Sequence, residues 1–392
     1  MSKTVRGSGS DRGRPLRIAG AGPAGLTAAI VLARAGRAVE VHEARDRVGH
    51  RFIGDFQVLE NSSEARDATE LLQELGIEIN FDFEPANDAV LFDHKLRARP
   101  VKSSRPYGYF LRRGPTDGTL DRGLLAQAQE AGAEIRFGSR LKPGDVDIAA
   151  TGPAACDGLA REMTFNTTLS DRTWVLFDQR LAPGGYAYLF VRHGFATYGA
   201  AIVADFKSID ERYEACLRRF QEIESFVPQD ARTAYSYMNF TLKSTASIGA
   251  TLYAGEAAGF QDYLFGLGIR YAITSGGFAA RALLNGSSFD ELWEQGLQRK
   301  QRTSLVNRFL YERGGNFGLG LFTRLAARGD FDSYLAKWHR FALWKRLLFP
   351  FVERAWRRHT PCRHALPGHW CRPPQGKVEA TQELGEIGGT RI

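Results

Sequence analysis

The sequence predicts an α/β fold: a parallel sheet near the start of the chain, an antiparallel β-sheet inserted into it, and a helical extension towards the C-terminal end. Three observations carry this. Residues 16–43 spell a complete strand–turn–helix–strand unit, alternating β-rich segments dominate from 173 to 203, and residues 289–358 read as helical, aromatic and basic. With 392 residues, 43% hydrophobic and 24% charged, the chain can bury a substantial core as one large domain or two ordinary ones, which excludes a disordered or fibrous protein. Forty-two glycines against 15 prolines, with no collagen-like period, call for many tight backbone turns.

The elements follow in order. Residues 1–14 are rich in Gly, Ser and Arg and read as a flexible tail. A strand, 16–19, runs into the turn Gly20-Ala21-Gly22-Pro23-Ala24-Gly25 and then a helix with Leu26, Ala29, Ile30 and Ala33 on one face, closed by Gly36. A second strand, 38–42, ends at Glu43; residues 45–60 read as a loop and 64–75 as a helix. Residues 120–131 form an amphipathic helix stopped at Gly132, followed by strands at 133–137 and 148–150. Strands are then expected at 173–177, 186–191 and 196–203, a helix at 209–223, a strand at 251–254 and a helix at 268–284. The glycine-rich run 314–320 reads as a loop within the helical extension.

GAGPAG is a GxGxxG turn in its proper setting, after a strand and opening a helix, which makes the parallel sheet Rossmann-like. The first glycine allows the tight turn, the second lets a diphosphate approach the backbone, and the third lets helix and strand pack closely. Glu43 follows Gly20 by 23 residues, where a carboxylate can accept hydrogen bonds from ribose hydroxyls and would repel a 2′-phosphate. The alternative, a tight turn that merely packs a helix on a sheet, leaves Glu43 without a role.

Pro23-Ala24-Gly25-Leu26, Glu43-Ala44-Arg45, the segment 254–259 (AGEAAG) and Gly266-Leu267-Gly268-Ile269 resemble the FAD-binding family that includes geranylgeranyl reductases and aromatic-ring flavin hydroxylases. The resemblance spans most of residues 15–285 and implies an FAD-binding domain in three parts, 15–80, 111–155 and 249–286. It also implies a substrate domain in two parts, 81–110 and 156–248, followed by a helical extension over 287–358 and a mostly unstructured tail over 359–392. FAD would be held by Gly20, Gly22, Pro23, Ala24, Gly25, Glu43 and Ala44. Glu256 would sit at the ribityl chain, and Gly266, Gly268 and Ile269 would place amides and a helix N-terminus beside the flavin's pyrimidine edge. Glu256 stands where the family has Asp, and Tyr263 where it has Pro. Arg113, in the run LRRGP, resembles the family's arginine at the FAD edge; the competing reading is a solvated surface charge. Asp157-Gly158 echoes the family's DG pair too loosely to carry a role.

The run PGGYAYLFVR, 183–192, resembles the geranylgeranyl-reductase motif YxWxFPK, with Tyr188 for Trp, Val191 for Pro and Arg192 for Lys. On a strand Tyr186, Tyr188 and Phe190 share one face, an aromatic wall suited to an apolar substrate, although alternating aromatics also suit ordinary core packing. The resemblance implies an FAD-dependent oxidoreductase that reduces carbon–carbon double bonds of an isoprenoid-type substrate beside Tyr186, Tyr188, Phe190 and Arg192. The alternatives are a monooxygenase on the same scaffold and a non-enzymatic, membrane-docked flavin carrier or sensor. No residue is identifiable as catalytic from the sequence. With no second GxGxxG in a strand–helix setting, NADPH, if it is the reductant, binds transiently; the electron donor stays open.

Net charge is +8, of which +7 falls in residues 331–372, with nine Lys/Arg and two Asp/Glu. No basic stripe covers the body of the chain, so no nucleic-acid partner is expected. Residues 338–358, with three Trp among Arg and Lys, suit either a membrane interface or a helix packed on its own domain. His359, Cys362, His364, His369 and Cys371 match no common zinc spacing, and an unstructured tail is the simpler reading. Four cysteines without a CxxC pair suggest a reducing compartment. The absence of a signal-like apolar run adds to this, and the expected location is cytoplasmic or at a membrane surface.

Overall fold

A computed structural model describes residues 13–153, 156–240, 242 and 245–357. Strand β1 (Leu16–Ala19), helix α1 (Pro23–Arg34) and strand β2 (Val39–His42) form the expected unit. β1 lies at the centre of a six-stranded sheet ordered Ser247–Ile248, Thr251–Tyr253, Ile148–Ala149, β1, β2, Glu134–Arg136, parallel apart from the first hairpin. Such a sheet must be covered on its faces. Here α1, helix Leu120–Glu130 and helix Ile269–Asn285 supply cover, burying Ile18, Leu26, Ile30, Leu124 and Ile273 completely. α1 and Ile269–Asn285 touch through small residues, since a Cβ at Gly276 would stand 2.3 Å from the Ala24 carbonyl oxygen.

A seven-stranded sheet makes up the second layer, ordered Gln229–Met238, Gly158–Asn166, Phe195–Ile202, Tyr186–Arg192, Arg172–Phe177, Asp88–Asp93, Ala98–Lys102. It is antiparallel except where Arg172–Phe177 pairs with Asp88–Asp93. Strand alternation sends Leu189, Tyr198 and Trp174 to one face, against Tyr213, Cys216 and Phe220 of the helix Ile209–Ile223. Each such large apolar side chain contributes roughly 2 kcal/mol on burial. The opposite face carries Val175, Tyr186, Tyr188 and Phe190. A small sheet of Phe56–Glu60, Gly108–Arg112 and Glu84–Ala86 packs Phe56 and Phe110 against Tyr188 and Phe190 of the seven-stranded sheet.

Three expectations need correction. Residues 56–60 form a strand rather than part of a loop, because Phe56, Leu59 and Glu60 are buried against Gly108–Arg112. The helix expected from residue 64 begins at Ala68, where the Asp67 carboxylate accepts from the Thr69 amide at 2.9 Å and caps it. The run 314–320 lies inside the helix Arg299–Ala326, which breaks only at Gly315, with φ 51° and ψ −157°. Strand Gly108–Arg112 also runs through the domain boundary drawn between 110 and 111. Helices Phe331–His339 and Leu343–Arg357 complete the chain. No helix among the described residues is long and apolar enough to cross a membrane. The Cys/His run 359–371 lies outside the described residues.

Candidate functional site

The glycine turn separates two duties. A Cβ on Gly20 would stand 2.2 Å from the Ala150 carbonyl oxygen, and one on Gly25 would stand 2.0 Å from the Gly20 carbonyl oxygen, so both positions exclude a side chain. Gly20 also has φ +103°, in the region that favours glycine. A Cβ on Gly22 would meet nothing within 4 Å. Gly22 faces a cavity, and the open N-terminus of α1 offers amides and positive dipole there to an anionic group such as a diphosphate. Pro23 opens the helix, where its missing N–H costs nothing. The Glu43 carboxylate accepts from the Ala21 and Arg45 amides, both at 2.9 Å, and each oxygen keeps a second lone pair for a hydroxyl. A dinucleotide therefore fits this end on the evidence of an open cradle and an oriented acceptor.

One continuous cavity of about 620 Å³ runs from this turn to the aromatic face of the seven-stranded sheet. Of the sequence-derived nucleotide residues, Gly20, Gly22, Pro23, Ala24, Glu43, Ala44, Arg113, Glu256, Gly266, Gly268 and Ile269 line it, while Gly25 packs behind the turn. Arg113 is 9% exposed, which removes the surface-charge reading. It forms a bidentate pair with Asp121 at 2.8 and 2.9 Å and stacks 4.2 Å from the Phe52 ring centroid. Burial pushes the Glu256 carboxyl above its usual range, opposed by Arg51 at 3.5 Å. Gly268 caps the helix Ile269–Asn285, which turns a second helix N-terminus towards the cavity.

At the far end Tyr186, Tyr188 and Phe190 line the wall, with the Tyr188 and Phe190 rings stacked at 4.7 Å. The Tyr186 hydroxyl donates to the Phe265 carbonyl at 2.7 Å, tying the wall to the loop before Gly266. Phe322, Phe331 and Leu335 close the chamber from the C-terminal helices. Arg192 does not line it, a correction to the expectation. At the strand end its guanidinium donates to the Arg172 and Val191 carbonyls and the Thr173 hydroxyl and stacks 4.3 Å from the Phe110 centroid.

A polar cluster interrupts this apolar wall, and the residue pattern along the chain does not announce it. Asp55 is fully buried, and Glu162 is 3% exposed. The Gln57 amide donates to both, at 2.7 Å to Asp55 and 3.1 Å to Glu162, and the Tyr188 hydroxyl donates to Glu162. Burial and the Glu162 charge push Asp55 from 3.8 up to about 7, and burial together with Glu162 raises the Tyr188 phenol well above its ordinary value. No local motif connects these residues; only sheet register does. The one available signal was an isolated acid, Glu162, within the apolar alternation of residues 158–166.

Residues 18–53 match the model of an NAD(P)-binding Rossmann-like domain. No curated protein matches the chain in sequence. Among solved structures, a geranylgeranyl bacteriochlorophyll reductase-like protein from Thermoplasma acidophilum is 18% identical and superposes with a TM-score of 0.66 over 88% of this chain and 98% of its own. The flavin-dependent brominase Bmp2 is 16% identical, with a TM-score of 0.60 over 88% and 98%. The p-nitrophenol 4-monooxygenase from Pseudomonas putida DLL-E4 is 14% identical, with a TM-score of 0.55 over 87% and 98%. Parallel sheet, inserted antiparallel sheet and C-terminal helices thus make up the fold shared with geranylgeranyl reductase-like proteins and flavin-dependent halogenases and monooxygenases.

Proposed function

We propose that this protein is an FAD-dependent oxidoreductase that reduces carbon–carbon double bonds of an apolar, isoprenoid-type substrate. The observation that carries the reading is the single cavity joining a dinucleotide cradle to an aromatic chamber. Gly22 and the α1 N-terminus would hold the diphosphate, Glu43 the ribose, and Glu256 the ribityl chain. The Gly266–Ile269 loop would face the ring system. Bound FAD supplies hydride transfer when reduced. The chain's own part is to exclude water with Phe322, Phe331 and Leu335 and to align an extended apolar substrate along Tyr188 and Phe190. The reductant, NADPH or another donor, binds transiently.

The helix Leu343–Arg357 supports a lipid-derived substrate. Leu347 is 73% and Trp344 51% exposed, beside exposed Leu343, Phe351, Arg346 and Arg354, a combination suited to an anionic lipid surface. Lys345 takes no part: it is buried, donates to the Trp338 carbonyl, and has its pKa lowered by burial to about 8.

Anaerobic incubation of the dithionite-reduced, FAD-loaded protein with polyprenyl alcohols tests the reading. A product gaining two hydrogens is expected. Turnover only with oxygen, and an oxygen atom in the product, would instead establish a monooxygenase, the second reading that the likeness to p-nitrophenol 4-monooxygenase favours. Flavin that no substrate reoxidises would point to a carrier.

A further inference from the structure

Sheet register sets three residues in a row. Glu162 pairs with Gly199 on the neighbouring strand, and Gly199 pairs with Tyr188 on the next. A Cβ at Gly199 would lie 2.4 Å from Tyr188 Cζ and 2.5 Å from its hydroxyl oxygen, so the bare glycine lets the phenol cross that strand and reach Glu162. Tyr188 and Gln57 both donate to Glu162 Oε1, which fills its two lone pairs. Oε2 takes no protein donor among the described residues, yet it is not sealed off, so it opens onto the cavity that Glu162 lines.

The cations that line the same cavity are matched elsewhere. Arg113 pairs with Asp121 at 2.8 Å, Arg51 faces Glu256 at 3.5 Å, and Arg308 pairs with Glu312 at 2.6 Å. Burial pushes the Tyr186 and Tyr188 phenols up, so they stay neutral, and the negative charge of Glu162 adds to the rise at Tyr188. An acceptor buried without a donor is costly, and a carboxylate oxygen more so. Any molecule that fills the chamber displaces water from Oε2 and must bring an O–H or N–H of its own. The Tyr188 ring that reaches Glu162 through its hydroxyl also stacks on Phe190, so this acceptor adjoins the apolar wall.

We propose that Glu162 determines substrate specificity, its Oε2 accepting a hydrogen bond from a hydroxyl or amine at the head of the substrate, with Tyr188 and Gln57 as positioning residues. The inference rests on the isoprenoid reading and narrows it. A prenyl alcohol or amine is preferred, while a prenyl diphosphate or carboxylic acid is turned away by like charge.

Equilibrium titration of the FAD-loaded full-length protein, followed by the flavin spectrum, tests this. The ligands are farnesol, farnesyl methyl ether, farnesylamine, farnesyl diphosphate and the hydrocarbon farnesene. Farnesol should bind at least about 10-fold more tightly than its methyl ether, against the order that hydrophobicity alone dictates, and the diphosphate should bind more weakly than farnesol. Farnesylamine tighter than farnesol supports an ammonium head, and the reverse order a hydroxyl. Glu162→Gln turns an amide N–H into the cavity in place of Oε2, so the preference for alcohol over ether should fall below about threefold or reverse. A merely structural role would weaken farnesol and its ether alike. Equal affinity for farnesol and its ether in the parent, tighter binding of the diphosphate, or a parent-like preference in Glu162→Gln overturns the proposal; farnesene binding then leaves the isoprenoid reading standing. If no ligand, farnesene included, perturbs the flavin, that reading falls and takes this one with it.

Discussion

The two ends of the cavity are built by opposite means. At the nucleotide end the diphosphate turn is backbone and absent side chains gathered within residues 20–25, with Glu43 beside it, while Arg113, Glu256 and the Gly266–Ile269 loop join it from later in the chain. At the substrate end the working parts are side chains of residues 57, 162, 186, 188 and 190, on strands of two sheets, with Asp55 just before the strand that carries Gln57. A backbone site must be encoded locally, because neighbouring residues shape one turn. A side-chain site can be assembled from any strands that tertiary structure brings together.

That contrast can be broken most sharply within the glycine turn. Gly25→Ala should destabilise the fold by about 4 kcal/mol or more, read as a large fall in Tm, since its Cβ has no room against the Gly20 carbonyl. Gly22→Ala should leave Tm nearly unchanged and lower bound FAD instead. Equal effects from the two would erase the division of duties. Next comes the buried acid. Because Asp55 is raised to about 7 in the fold, it favours the folded state most at low pH, and this contribution is lost as pH rises through 7. Stability should therefore fall on the order of 3 kcal/mol between pH 5 and 8 by denaturant titration, and Asp55→Asn should flatten the slope.

Smaller effects sharpen the picture. Glu43→Ala should cost about 1–2 kcal/mol of stability, by leaving the Ala21 and Arg45 amides without their acceptor, and markedly reduce FAD retention on gel filtration. Tyr186→Phe removes one hydrogen bond to Phe265 and should cost about 1 kcal/mol. Replacing Trp344 and Leu347 together with Ser should change stability by less than about 0.5 kcal/mol yet abolish flotation with anionic vesicles.

How much was legible follows from the same contrast. β1, α1 and β2 were readable because apolar period, glycine turn and terminal acid lie within thirty residues of one another. The helix 209–223 was readable from its own periodicity. The strand Phe56–Glu60 was not, because Gln57 faces the polar cluster and blurs the alternation, and its partner lies about fifty residues away. Arg192 was placed in the chamber because it stands where the resembled motif YxWxFPK has Lys. Its position at the strand end allowed it to turn onto backbone carbonyls instead. The Asp55–Glu162 pair, 107 residues apart, could not be read at all, since nothing local to either acid specifies the other.

The break at Gly315 reaches beyond helix geometry. Before it, the helix is moored to the nucleotide side, where Ser304 accepts from the Tyr263 amide; after it, Asn316 accepts from the Gln179 amide and Phe322 abuts Phe177 and Phe265 on the chamber side. A backbone angle open only to glycine thus sets the tilt of the chamber's roof. Drift at this single position could enlarge or shrink the space for substrate while leaving every residue of the nucleotide cradle untouched, giving descendants of this chain a route to new substrates that spares the cofactor.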